Sequence, residues 1–112
     1  AIDESAWHQI AARKKDYMWP WESVPHSAAH GILDDETYDY LALLQAMNRS
    51  KGSALVATET DILAAYTLAQ NGVPHAVSAT GSAGLAGLLT LHKKAPLSAD
   101  ENVVCLFTGV LR

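Results

Sequence analysis

Apolar residues recur at helical spacing in several stretches of this chain and collect into short unbroken runs between them. In residues 2 to 15, "IDESAWHQIAARKK", Ile2, Ala6, Ile10 and Ala11 share one helical face, with acids early and bases late as a helix dipole favours. The next stretch, "DYMWPWESVPHSAAHG", carries Pro20 and Pro25 and shows no sustained period. It reads as an ordered connection, because Trp19 and Trp21 are costly to leave in water. "DDETYDYLALLQAMN" opens on Asp34 and Asp35 as cap candidates, sets Tyr38, Leu41, Leu44 and Gln45 on nearby turns, and predicts a second helix.

Beyond the turn signal "SKG", the brief apolar run "SALVAT" predicts a buried strand. Thr58 and Thr60 can each cap the following segment "ETDILAAYTLAQNG", in which Ile62, Ala65, Tyr66 and Ala69 repeat and Asn71, Gly72 and Pro74 mark the end. "PHAVSAT" reads as a short strand or extended link. "GSAGLAGLLTLHKK" predicts a fourth helix, with Ser82 as N-cap and Lys93 and Lys94 at its end. The run "NVVCLFTG" closes the series as its best strand. Strand, helix, link, helix, strand is the order of an α/β layer in which strands lie buried between helices.

Composition narrows the classes. A chain of 112 residues is about one domain, and 49% hydrophobic content with no apolar run near the roughly 20 residues that span a bilayer fits a globular domain and argues against a membrane partner. The net charge of -4, with bases scattered or in short pairs, argues against nucleic acid. Cys105 is the single cysteine, so neither an internal disulfide nor a cysteine metal site can form, and a reducing, cytoplasmic setting is expected. The start at Ala1 without an initiator methionine and the stop directly after an apolar run predict a piece of a longer polypeptide.

"TGSAGLAG" holds the densest cluster of small residues. Gly81, Gly84 and Gly87 recur every three residues, which matches neither the dinucleotide fingerprint nor a P-loop. On a helix this spacing predicts close backbone approach to a neighbour, since glycine otherwise costs a helix up to about 1 kcal/mol. A nucleophile elbow at Ser82 would require glycine where Thr80 stands, and only His92, Asp100 and Glu101 follow to complete a triad. His26 and His30 have the spacing of paired metal ligands, but "HSAAH" offers no acidic helper and no third ligand, so no metal site is assigned. His8, His75 and His92 are isolated, "DDET" reads as a helix start, and "YMWPW" is either a packing or a partner surface. Thr108 and Gly109 end the last apolar run, where ligands of open α/β folds generally bind.

Taken in order, "ATETDILAAY" from Ala57, "SAGLAGLLTL" from Ser82 and "VVCLFTG" from Val103 resemble the C-terminal part of threonine synthase and its relatives, the fold-type II pyridoxal-phosphate enzymes. The upstream "PHSAAHGILDD" looks like the segment of that family that returns toward the active site, and the likeness runs from about residue 24 to 109. It implies a three-layer α-β-α piece with a short, mostly parallel sheet. Residues 1–23 would form an N-terminal helix and aromatic connection, and 24–112 the C-terminal part of the large cofactor domain.

The resemblance also implies roles. Thr108 would set a neutral hydroxyl beside the pyridine nitrogen of pyridoxal 5'-phosphate, Gly109 would permit close approach, and Ser82 would lie near the pocket rim. A hydroxyl partner leaves the ring nitrogen largely unprotonated, which suits β-elimination and replacement on a small amino-acid substrate. The family's Schiff-base lysine and glycine-rich phosphate loop have no counterpart here. Lys14, Lys15, Lys51, Lys93 and Lys94 stand at helix ends or in turns without a motif, so no catalytic residue is assigned. The expectation is therefore a C-terminal fragment of a threonine synthase-like lyase, inactive alone, that works with the remaining N-terminal part in a homo-oligomer. A self-contained binding or regulatory module of the same descent is the alternative.

Overall fold

The computed structural model describes residues 4–111, with side chains from Ala6 onward. It corrects the expected α/β architecture: the described residues form helices and no strand, and their β pairing is a single antiparallel bridge between Val77 and Val110. Residues 53–57 and 102–107, both expected as buried strands, have no regular secondary structure and are largely exposed, with Val56 at 86% and Val104 at 85%. The physical reason is that a strand is completed by a neighbour. An apolar run reports the burial a segment can use, but main-chain partners come from elsewhere, and none of the described residues supplies them.

The chain divides into two units, Ala1–Pro25 with Asp34–Ala54, and His26–Leu33 with Leu55–Arg112. In the first, α1 (Glu4–Ala12) runs into a 3-10 turn at Lys14–Asp16, and α2 (Tyr40–Ser50) lies against α1. The Tyr40 hydroxyl donates to the carbonyls of Ile10 and Ala11, each at 3.0 Å, which satisfies acceptors left open at the end of α1. The second helix starts later than its sequence predicts, because the Asp34 carboxylate accepts from the Glu36 amide at 3.0 Å and holds a turn instead of capping. At its other end Lys51 is left-handed, φ 55°, and the Lys51 and Gly52 amides both return to the Met47 carbonyl. Trp19 and Trp21 are 62% and 45% exposed, so the expected burial of the aromatic connection is not found.

The second unit is built on an antiparallel pair, α3 (Glu59–Gly72) and α4 (Ala83–Lys94), in which the first turn of α3 meets the last turn of α4. Its buried apolar side chains are small: Ala65 and Ala69 of α3, Ala86 of α4, Ala29 and Val77. Small residues allow close helix packing but bury little area each. The Thr58 hydroxyl accepts from the Asp61 amide at 3.2 Å, the N-cap expected from sequence. Ser82 stands at the N-cap position of α4 yet makes no capping bond; its hydroxyl donates back to the Ala79 carbonyl at 3.2 Å. A 3-10 turn at His30–Ile32 belongs to this unit.

Candidate functional site

The site is built where the chain end returns to the start of α4. The Thr108 amide donates to the Gly81 carbonyl at 3.2 Å, the Ser78 amide to Gly109 at 3.0 Å, and the Leu111 amide to Ala76 at 2.8 Å. Residues 108–111 are thereby laid along 76–81. The Ser78 hydroxyl accepts from the Gly81 amide at 3.0 Å, which tightens the turn before the helix. A Cβ on Gly81 would stand 2.1 Å from the Gly109 carbonyl oxygen and 2.6 Å from its nitrogen, so main chain meets main chain there.

All three residues expected around a cofactor are gathered at this junction. Thr108 is exposed, Gly109 half-buried, and Ser82 fully buried with its hydroxyl engaged by Ala79. Ser82 thus has no accessible surface of its own, and the expectation of a rim position meets a residue packed beneath the turn. The segment 26–33 also reaches the same place, since the Gly31 amide donates to the Thr80 hydroxyl at 3.1 Å. Its other anchor is Glu59, whose carboxylate accepts from the Ala28 amide and the Ser27 hydroxyl, each at 2.7 Å. Those bonds, the amide first, hold the Glu59 carboxyl below its ordinary value.

Small-residue spacing on α4 has the meaning its sequence suggests. Gly84 faces Cys105 and the Leu106 carbonyl, with an added Cβ at 3.7 Å from each, and Gly87 faces Leu55 at 3.9 Å. One face of α4 therefore meets a residue or two of each apolar run.

Sequence reasoning missed Asp61. It is 3% exposed, accepts from the hydroxyls of Thr58 at 2.8 Å and Thr90 at 3.0 Å, and pairs with the Lys93 ammonium. The Lys93 hydrogen bond first, then Thr58, keep its carboxyl far below the usual aspartate range. The signal was present in the capping spacing of Thr58 and Asp61 and in a lysine at the end of α4, but their convergence depends on the antiparallel helix pairing. Lys93 is committed to this ion pair.

His26 and His30 are exposed, and no group of metal-ligating side chains occurs among the described residues. No described helix is long and apolar enough to cross a membrane. In the first unit a cleft of about 310 Å³ is lined by Lys14, Lys15, Met18, Trp19, Asp35 and Glu36, with Lys14 paired to Glu36 and 5.9 Å from the Tyr38 ring.

The relationship that accompanies this geometry is a threonine synthase-like one. The chain is 32% identical over 87 residues to the threonine synthase of Mycobacterium leprae (strain TN), a match that takes in 78% of this chain and 24% of that protein. It thus spans about a quarter of the length of that relative. No protein-family model matches the chain, and no solved structure matches it.

Proposed function

We propose that this chain is a cofactor-end portion of a threonine synthase-like, fold-type II pyridoxal-phosphate enzyme that carries out β-elimination or replacement on a small amino acid. The observation that carries the reading is the return of Thr108 and Gly109 to the glycine turn that begins α4, within a chain similar to a threonine synthase. The fit to the cofactor's ring edge is favourable on this chain's own atoms. The Thr108 hydroxyl is exposed while its amide is held by Gly81, and the Gly81–Gly109 contact fixes the main chain on which that hydroxyl stands.

When bound, pyridoxal phosphate supplies an electron-withdrawing ring for bond cleavage at the α-carbon of an amino acid. Thr108 offers that ring's nitrogen a neutral hydrogen-bonding partner, and Gly109 leaves room beside it. Ser82 supports the turn from behind. The described residues include no lysine free of a helix end or turn to take a substrate proton, so the chain alone is inactive and relies on the rest of such an enzyme in an oligomer.

The test is Thr108→Asp in a full-length polypeptide in which this chain replaces the matching segment of the M. leprae threonine synthase. An aspartate carboxylate there would favour a ring nitrogen that has taken a proton from solvent, so the cofactor absorbance should shift and turnover fall at least tenfold, about 1.4 kcal/mol, while Thr108→Ser retains both. Spectrum and rate unchanged in the aspartate variant would overturn the role.

A further inference from the structure

Two turns of the first unit come together at its cleft. In one, the Tyr17 and Met18 amides both donate to the Lys14 carbonyl at 3.1 Å, and Arg13 pairs with Asp16 at 2.7 Å, so Lys14, Lys15 and Met18 stand on a closed turn after α1. Trp19 and Pro20 continue the lining. The proline ring fixes its own backbone and keeps the residue before it out of the helical region, which presents the Trp19 indole on stiff main chain. The other turn carries Asp35 and Glu36 and is closed by the Asp34 carboxylate. Lys14 and Glu36 pair with each other and join the two.

The four charged side chains of the lining are not equivalent. Lys14 and Glu36 neutralise one another, whereas Lys15 and Asp35 are exposed and have no hydrogen-bond or ion-pair partner among the described residues. Beside them the Trp19 indole is 62% exposed.

We propose that this cleft binds a free α-amino acid with a flat apolar side chain, its carboxylate on Lys15, its ammonium on Asp35 and its side chain against Trp19, Met18 and Pro20. Three properties select that ligand. A net anion would meet Asp35 and Glu36 and a net cation would meet Lys14 and Lys15, but a zwitterion finds one unpaired group of each sign. An indole left in water gains from an aromatic ring stacked on it, and a rigid side chain loses little freedom in doing so. The volume of about 310 Å³ lies at the small end of ligand sites, roughly 300–1,000 Å³, and suits a molecule of amino-acid size. The ligand is larger and more apolar than the substrate of the proposed reaction, and its cleft belongs to the unit that does not contain Thr108 and Gly109. The inference rests on neither the threonine synthase-like reading nor the cofactor.

Titration calorimetry of the chain with L-phenylalanine tests it. Saturable binding is expected with a Kd on the order of 1 mM. Hydrocinnamate, which lacks the ammonium, phenethylamine, which lacks the carboxylate, and glycine, which lacks the ring, should each bind at least about fivefold more weakly. No binding of L-phenylalanine, or equally tight binding of any of the three, would overturn the proposal. Two substitutions at exposed positions then assign the charges, with circular dichroism expected to stay unchanged in both. Lys15→Gln should weaken L-phenylalanine and hydrocinnamate about fivefold and leave phenethylamine as it was; Asp35→Asn should weaken L-phenylalanine and phenethylamine and spare hydrocinnamate. A variant that weakens all three alike, or none, would overturn the role of its residue. Trp19→Ala should abolish the preference for L-phenylalanine over glycine, and a preference that survives it would remove the stacking surface. These titrations involve no cofactor, so their failure leaves the Thr108 reading standing, and a cofactor spectrum indifferent to Thr108→Asp leaves the cleft standing.

Discussion

At Asp61 one carboxylate receives the Thr58 cap, the Thr90 hydroxyl and the Lys93 ammonium, and so ties the start of α3 to the end of α4. Asp61→Asn keeps the size but removes the charge, strands the Thr90 hydroxyl with a poorer acceptor, and should lower the melting temperature by several degrees. Lys93→Met should do less, because the Lys93 side chain is 61% exposed and much of its pairing is screened by water. The sign of the pH effect follows from the depressed carboxyl. The unfolded chain binds this proton near the ordinary value of 3.8, the folded chain only at lower pH, so the stabilisation is whole above that range and is lost as pH falls below it. Acid titration of the melting temperature should therefore fall more steeply for the wild type than for Asp61→Asn, and parallel curves would contradict the assignment. That Asp61 holds two helices together was not legible in the sequence, where it looks like one more acid in a first turn. Burial and the opposing helix made it something else.

Among the elements, α4 was the most readable. Gly81, Gly84 and Gly87 announce close approach, and each does meet a neighbour, but the sequence could not say which neighbour was main chain. Gly81→Ala would drive a methyl into the Gly109 backbone and should destabilise the chain by about 1–3 kcal/mol while loosening residues 108–111. Gly72→Ala, at the end of α3 with nothing within 4 Å of an added Cβ, should be neutral or stabilising by up to about 1 kcal/mol. Denaturant midpoints of the two variants give the comparison, and equal effects would remove the close-contact explanation. The caps divide in the same way. Thr58 was readable because a local spacing of three residues decides it, whereas Ser82 takes the expected N-cap position without a capping bond, because its hydroxyl turns back to Ala79 and the Ser78 side chain organises the turn.

Across the molecule, the order of helices was readable and the sheet was not. The runs "SALVAT" and "VVCLF" have a strand's composition, but pairing is a property of two segments, and the described residues supply a partner only at Val77 and Val110. The buried apolar side chains of the described residues are four alanines and one valine, while Leu63, Leu68, Val104 and Leu106 stay open. At about 0.8 kcal/mol for each buried methyl-sized group, such a core barely opposes the chain entropy lost on folding. The isolated chain should therefore melt over a broad range with low enthalpy and bind a hydrophobic dye in the folded state; a sharp, dye-free transition would mean more burial than the structure holds. The contact between Gly81 and Gly109 has a different kind of consequence, for the routes by which this sequence can change. A clash between two side chains can be repaired by shrinking either one. Here a methyl at Gly81 would meet the carbonyl and nitrogen that every residue type carries, so no replacement at Gly109 can make room for it, and a lineage that loses the first glycine has no second-site remedy there.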